Sequence, residues 1–156
     1  MEDDELARRS GGGDTQAFRE LLGRYQGRLY SYLLRRAGPA DCDDVFQEVC
    51  VKLWTGLARY ESRGRFPAWL FMVARRTLLD SLERRGRRED CAGDAQDLDA
   101  MGLPDREPGP PAQAEAGEAR GILERAFASL PPEQRDVFLL REYGGLTFRE
   151  IAELQG

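Results

Sequence analysis

The sequence predicts an all-α protein with an N-terminal three- to four-helix bundle, an acidic disordered linker and an incomplete C-terminal helix-turn-helix domain. Apolar residues recur at helical spacing in both halves of the 156-residue chain. Residues that cap or end helices bound these runs, and proline, glycine and acidic residues fill the stretch between the halves. We therefore divide the chain into an acidic flexible tail (1–13), a bundle (14–88), a linker (89–119) and a C-terminal segment (120–156).

Two helices are predicted in the first part of the bundle. Asp14 is placed to cap a long helix that ends near Gly38-Pro39. A second helix begins within the acids of 41–44, which favour a helix N-terminus, and it ends at about Leu57. The predicted buried stripe of this second helix consists of Val45, Phe46, Val49, Cys50, Leu53 and Trp54.

A third helix is predicted after the polar loop 60–65. Pro67 suits the first turn of a helix, and an apolar stripe at helical spacing continues from Trp69 to Leu82. Three such helices in antiparallel contact close a small bundle. Between the halves this periodicity disappears, and the segment 89–119 is predicted to be a tether.

The C-terminal segment carries the signals of a helix-turn-helix. A helix opens at Pro131-Pro132 and is broken by Gly144-Gly145, and Thr147 with Glu150 forms a capping box for the next helix. Gly156 stands where the inner turn of the motif begins, so we expect a domain truncated before its groove-reading helix. The alternative is a small packing unit without that function.

Charge is segregated along the chain, although the formal net charge is only −5. Residues 59–88 contain nine arginines and three acids, whereas residues 89–120 contain two arginines and nine acids. Arginines interleaved with aromatic rings suit a nucleic-acid backbone and its bases, and the acids of the second helix suit a protein partner. The alternative is that the basic block is a solvated helix face.

Composition argues against an enzyme, a metal protein and a membrane protein. The chain has no histidine, the commonest general base, and its three cysteines lack the spacing of a zinc site. Cys50 is expected to be a buried structural thiol. No apolar run spans a bilayer and the acidic N-terminus is unlike a secretory signal. We expect a cytoplasmic, non-catalytic protein without cofactor, metal or small-molecule substrate.

Several motifs in order resemble bacterial RNA polymerase sigma factors of the extracytoplasmic-function group, within the sigma-70 family. The resemblance covers nearly the whole chain apart from the acidic tail and the linker. It is carried by Gly13-Asp14 with Ala17-Phe18, by Asp44 to Trp54, by Phe66 to Arg75, by Leu130 to Phe138 and by Gly145 to Ala152.

The resemblance implies a dissociable specificity subunit that binds core RNA polymerase, directs it to promoters and assists DNA melting. Residues 14–88 would be sigma region 2, and 120–156 a partial region 4. An anti-sigma protein that covers these surfaces is implied as a further partner. The alternative is a truncated adaptor or decoy that binds polymerase or an anti-sigma protein without initiating transcription.

The resemblance assigns the second helix to the clamp of the large catalytic subunit of polymerase. The residues expected to bind there lie off the apolar stripe and are Asp44, Gln47, Glu48 and Lys52. Carboxylates at these positions complement arginines on a partner helix. A purely local interpretation also stands, in which Asp44 favours the helix N-terminus and Glu48 pairs with Lys52.

The loop and third helix resemble the part of these factors that reads the minus-ten element and captures a flipped base. The residues expected to bind DNA are Tyr60, Arg63, Gly64, Arg65, Phe66, Arg75, Arg76 and Thr77. Trp69 is either a core residue or a base platform, and its spacing favours the core. Many family members have asparagine where Arg76 stands, which predicts either a different minus-ten preference or no specific readout there.

Overall fold

The computed structural model describes the backbone of residues 1–86 and 110–156 and the side chains of residues 1–86 and 117–156. These residues form only helices and connecting turns, which confirms the all-α prediction. In chain order the elements are α1 (Asp3–Gly11), α2 (Thr15–Ala37), α3 (Cys42–Gly56), a 3₁₀ helix (Leu57–Arg59), α4 (Phe66–Arg84), α5 (Pro110–Ser129), α6 (Pro132–Gly144) and α7 (Phe148–Gln155).

The segment predicted to be a flexible acidic tail is instead a helix, α1. Its residues Leu6, Ala7 and Ser10 are buried against α2 and the 3₁₀ helix. The Ser10 hydroxyl donates a hydrogen bond to the Leu6 carbonyl at 2.7 Å. The prediction was wrong because this apolar face is short and lies between a run of acids and a run of glycines. With α1 included, the N-terminal bundle has four helices.

Helices α2 to α4 agree closely with the predicted ones. Asp14 caps α2 by accepting hydrogen bonds from the backbone N–H groups of Gln16 and Ala17, each at 3.0 Å. The buried core of the bundle comes from all four helices and includes Leu29, Leu33, Val49, Leu70 and Phe71. Of the cysteines in the described residues, Cys42 is fully buried, whereas Cys50 is only half-buried.

Most of the predicted linker lies outside the described residues. Helix α5 begins at Pro110, within the predicted linker. The predicted break and capping box are confirmed. Helix α6 ends before Gly145, which has a φ of +64°, and Thr147 and Glu150 bond each other's backbone N–H groups at 3.2 and 2.9 Å.

Helices α6 and α7 dock on the N-terminal bundle and share its core. Leu139, Leu140, Leu146 and Ile151 are almost completely buried within the same apolar cluster as α2 and α4. The backbone approaches closely here, since a Cβ on Gly144 would lie 3.4 Å from the Phe71 ring. Within the described ranges, none of the helices is both long enough and apolar enough to cross a membrane.

Candidate protein and nucleic-acid interfaces

A groove between α3 and α4 contains all four residues predicted to bind polymerase. We call it the α3–α4 groove; it has a volume of about 1020 Å³ and is lined by Asp44, Gln47, Glu48, Val51, Lys52, Asp80, Glu83, Arg84 and Arg85. The α3 residues recur at intervals of three and four, which places them on one face of the helix. The side chain of Asp44 is 70% exposed, so this carboxylate is available to a partner.

Ion pairs across the groove differ from the local pairing considered from the sequence. Glu48 accepts two hydrogen bonds from Nη2 of Arg84, at 2.9 and 3.0 Å. Lys52 instead lies 3.9 Å from a carboxylate oxygen of Asp80. Solvent-exposed pairs of this kind contribute little to stability, so the groove acids can exchange these partners for the arginines of another protein.

Val51 lies among these charged residues and was missed by the sequence predictions. Its side chain is 63% exposed, although α3 buries its other valines, Val45 and Val49. The exposure of Val51 could have been predicted from the sequence, because a valine outside the apolar stripe of α3 does not face the core. A single exposed valine is common on protein surfaces, so only its place in the α3–α4 groove, beside the four candidate residues, makes it a candidate contact.

A second cleft, which we call the loop cleft, forms where the loop 60–65 meets the start of α4. Its volume is about 390 Å³ and its lining comprises Arg59, Tyr60, Glu61, Arg63, Arg65, Ala68, Trp69 and Met72. Ligand clefts typically have volumes of roughly 300–1,000 Å³. The rings of Tyr60 and Trp69 form one wall, with centroids 5.0 Å apart and planes tilted by 52°.

Three of the predicted DNA-binding residues therefore meet in the loop cleft. They are Tyr60, Arg63 and Arg65, and Arg63 also pairs with Glu61. Trp69 both packs against the core and lines the cleft, so the two interpretations of this residue are compatible. Two aromatic faces beside exposed guanidinium groups can stack a base and hold a phosphate.

Gly64 and Phe66 lie on the other side of the loop. Gly64 has a φ of +67°, a conformation that favours glycine, and its N–H donates to Asp4 of α1 at 2.7 Å. The side chain of Phe66 is only 3% exposed and packs edge-on against Tyr60 at 5.7 Å. In this structure the Phe66 ring belongs to the core and supports Tyr60, and its contact with DNA stays a prediction.

The three candidates on α4 have different environments. Thr77 is 1% exposed and its hydroxyl donates to the Val73 carbonyl at 2.7 Å, and its contact with DNA stays a prediction. Arg75 forms an ion pair with Asp136 of α6 at 2.6 Å. Arg76 is exposed at the surface, where a phosphate or base edge can reach it.

Acids of the C-terminal helices contact several arginines of the bundle. Asp136, which is 1% exposed, also accepts from the Tyr32 hydroxyl at 2.8 Å and pairs with Arg36 at 3.1 Å. Burial, followed by the Asp136 charge, raises the pKa of Tyr32. Arg65 lies 3.5 Å from Glu150 of α7. Two predicted DNA-binding arginines, Arg65 and Arg75, are thus held by carboxylates of the same chain.

Comparisons with known proteins identify the family. A model of sigma-70 region 2 matches residues 21–88, and a model of sigma-70 region 4 matches residues 120–156. The ECF RNA polymerase sigma-E factor of Escherichia coli strain K12 is 30% identical over 158 residues, covering 99% of this chain and 83% of that protein. The chain belongs to the ECF sigma factors.

Other relatives of this sigma factor give the same result. The ECF RNA polymerase sigma-E factor of Haemophilus influenzae is 31% identical over 159 residues, covering 99% of this chain and 84% of its own length. The structure of CnrH in complex with the cytosolic domain of CnrY superposes with a TM-score of 0.63 at 24% identity, over 99% of this chain and 82% of CnrH. The last similarity establishes the fold.

Membership of this family gives the general activity of the chain. Sigma factors are non-catalytic subunits that direct RNA polymerase to promoters for transcription initiation. In this sigma factor the region 2 match covers most of α2 and all of α3 and α4, and the region 4 match covers the second half of α5 with α6 and α7. The α3–α4 groove and the loop cleft both lie in region 2.

Proposed function

We propose that this sigma factor binds the clamp of the large catalytic subunit of polymerase through the α3–α4 groove and the minus-ten element through the loop cleft. The observation that carries this proposal is the separation of the candidate residues into two surfaces. The four polymerase candidates line one groove, whereas Tyr60, Arg63 and Arg65 line a different cleft. One region can therefore contact polymerase and melted DNA together.

The groove suits a basic partner helix. Asp44, Gln47 and Glu48 present acceptor oxygens along one face of α3, and Val51 supplies an apolar contact in the same groove. Charge-assisted hydrogen bonds from arginine to carboxylate are stronger than neutral ones and fix the register of the two helices. Lys52 would extend the contact to an acidic group at the end of the groove.

The loop cleft suits a base that has left the duplex. Unstacking a base costs a few kcal/mol, and stacking on an aromatic ring returns roughly 1–3 kcal/mol, so capture of a flipped base favours the open duplex. Tyr60 and Trp69 offer the rings, and Arg63, whose side chain is 74% exposed, offers a charge for phosphate. DNA melting is thus part of the proposal.

Arg75 and Arg76 would contact the backbone of the same strand. Arg76 is accessible as it stands, whereas Arg75 reaches DNA only after α6 moves away from region 2. A protein partner that covers the same surfaces, of the anti-sigma kind, is included in the proposal. CnrH, the structural neighbour, was solved with the cytosolic domain of CnrY.

The ion pairs between regions 2 and 4 favour one other function. Because Arg65 and Arg75 are held by acids of region 4, the chain in this conformation is suited to act as an adaptor or decoy that binds polymerase without initiating transcription. In vitro transcription with core polymerase distinguishes the two functions. Promoter-dependent RNA synthesis supports initiation, and polymerase binding without synthesis supports the adaptor.

Charge reversal tests the polymerase surface. We expect the double variant Asp44→Lys with Glu48→Lys to lose retention on immobilised core polymerase while its helical content stays unchanged. Glu20→Lys is the matched control, since Glu20 is an exposed acid on α2 outside the groove. Equal retention of the double variant and the control would exclude the groove as the polymerase contact.

Salt dependence tests the DNA surface. Arg63→Ala should lower affinity for single-stranded DNA and reduce the slope of log affinity against log salt by roughly 0.7, the value for one phosphate contact on a single strand. Arg19→Ala, an exposed arginine on α2, should leave the slope unchanged. Identical slopes for wild type and Arg63→Ala would remove Arg63 from the interface.

A further inference from the structure

Helix α1 holds the loop that forms the loop cleft. One carboxylate oxygen of Asp4 accepts a hydrogen bond from the Tyr60 hydroxyl at 2.8 Å, and the other accepts from the backbone N–H of Gly64 at 2.7 Å. Asp3, its neighbour, accepts from the Tyr25 hydroxyl and pairs with Arg24 at 2.8 Å. The acids at the start of the chain thus bind the region 2 surface beside the loop.

Helix α1 is itself firmly placed. Leu6 and Ala7 are fully buried, and a Cβ on Gly11 would lie 2.5 Å from the carbonyl oxygen of Leu57. Leu57 begins the 3₁₀ helix that leads directly into Tyr60. The carboxylate of Asp4 therefore projects from an element whose backbone is in contact with the start of the loop.

We infer that Asp4 is a positioning residue for the loop cleft, which fixes the Tyr60 ring and the Gly64 backbone in the arrangement that captures a base. The inference rests on the proposed promoter contact and deepens it. Residues 60–65 contain no helix or strand, so their ends have to be fixed by other groups. Holding a loop in its bound conformation lowers the entropy cost of binding.

Asp4 lies outside the loop cleft and contacts the loop from its other side. It lines a cavity with Gly64, Phe66 and Arg24, on the opposite side of the loop from the cleft, and it is not among the residues of the cleft wall. Tyr60 connects the two sides, because its hydroxyl bonds Asp4 and its ring faces Trp69. Asp4 therefore orients the base platform without presenting its negative charge to the DNA.

The hydrogen bonds extend the ionised range of this carboxylate to lower pH. Partial burial alone would raise the pKa of Asp4, but hydrogen bonds from Tyr60, Ser62 and Gly64 together lower it below the ordinary value of 3.8. The carboxylate is ionised at neutral pH even with an ordinary pKa, so its hydrogen bonds with Tyr60 and Gly64 are charge-assisted there.

The test compares Asp4→Ala with Glu5→Ala in the 156-residue chain bound to core polymerase. Glu5 is the matched control, since it is an acid on the same helix that pairs only with Arg8 at i+3 among the residues described. The probe is a random-sequence single-stranded DNA library, from which each complex selects its preferred bases. Hydrogen exchange at the Gly64 amide is measured in parallel in the free proteins.

We expect wild type and Glu5→Ala to select one base strongly at one position of the DNA. In Asp4→Ala the ratio of the preferred base to the others should fall about tenfold, whereas affinity for oligo(dT) should be unchanged. The Gly64 amide should exchange faster only in Asp4→Ala. Tyr60→Phe keeps the ring but removes the hydroxyl, so its base preference should lie between those of wild type and Asp4→Ala. Unchanged base preference in Asp4→Ala, with faster exchange at Gly64, would overturn the inference and leave the proposed function standing. Absence of any preference in wild type would overturn the proposed promoter contact itself.

Discussion

Asp136 and Arg75 are 61 residues apart in sequence, yet a carboxylate oxygen of Asp136 lies 2.6 Å from Nε of Arg75. The pair joins α6 of region 4 to α4 of region 2 in a position almost closed to solvent. Tyr32 and Arg36 complete the environment of the carboxylate from α2. A side chain predicted to meet DNA is therefore used within the molecule to attach one region to the other.

Removing this carboxylate should loosen region 4. We expect Asp136→Ala to lower the free energy of unfolding by about 3 kcal/mol, because loss of one member of a buried ionic cluster leaves the desolvated partners without compensation. Urea denaturation gives the free energy, and hydrogen exchange should show faster opening of α6. Glu153→Ala is the control, since its exposed pairs with Arg65 and Arg149, each at 3.8 Å, should contribute under about 1 kcal/mol. Equal losses in both variants would contradict a special role of the buried cluster.

Two glycines should respond oppositely to the same substitution. Gly11→Ala places a methyl group against the Leu57 carbonyl and should destabilise the protein by about 1–3 kcal/mol, as overpacking does. Gly23→Ala meets nothing within 4 Å and lies inside α2, so it should stabilise by about 0.5–1 kcal/mol through helix propensity. Thermal unfolding of both variants checks the signs. A stabilising Gly11→Ala would mean that α1 is less closely packed than described.

Asp14 should make part of the stability depend on pH. The N–H of Ala17 and the guanidinium of Arg9 lower the pKa of this capping carboxylate below its ordinary 3.8. Because the pKa is depressed in the folded state, the stabilisation is present above pH 3.8 and is lost as pH falls through the folded-state value. Asp14→Asn retains a good helix cap that does not titrate. The advantage of wild type over this variant should therefore disappear in acid, as urea unfolding across a pH series will show; an advantage independent of pH would contradict the assignment.

Val51 should matter for polymerase and not for folding. Val51→Asp replaces the apolar contact of the α3–α4 groove with a carboxylate, and we expect core-polymerase affinity to fall about tenfold, as when a buried valine contact is lost. Val51→Ser separates loss of apolar surface from added charge. Both variants should keep the wild-type melting temperature because the residue is 63% exposed, whereas Leu53→Asp, at a position 2% exposed, should unfold the bundle. Unchanged binding in both Val51 variants would exclude this valine from the interface.

Much of the fold was predictable because its signals are local. The cap at Asp14 and the Thr147–Glu150 box mark helix starts within four residues of sequence. The burial of Phe66 and Thr77 was readable too, since both continue the spacing of the α4 stripe with Leu70 and Ala74. These two were assigned to DNA because the family resemblance was applied to a run of residues without regard to the face of the helix.

Contacts between distant parts of the chain were not predictable. The pairing of Asp136 with Arg75 and of Asp4 with Tyr60 depends on how helices dock, and a single sequence carries no pattern for this. The groove was predicted in part because Asp44 and Glu48 are one helical turn apart. Its second wall, with Arg84 at the end of α4 and Arg85 directly after it, depends on tertiary packing and was missed.

The shared core of regions 2 and 4 adds a free-energy cost to the binding of any partner that requires the two regions to separate. Leu139, Leu140, Leu146 and Ile151 become exposed when region 4 leaves, at about 25 cal/mol for each Å² of apolar surface uncovered. The apparent affinity of such a partner is its intrinsic affinity multiplied by the fraction of molecules already open. Substitutions that loosen this core will therefore strengthen binding without touching either binding surface.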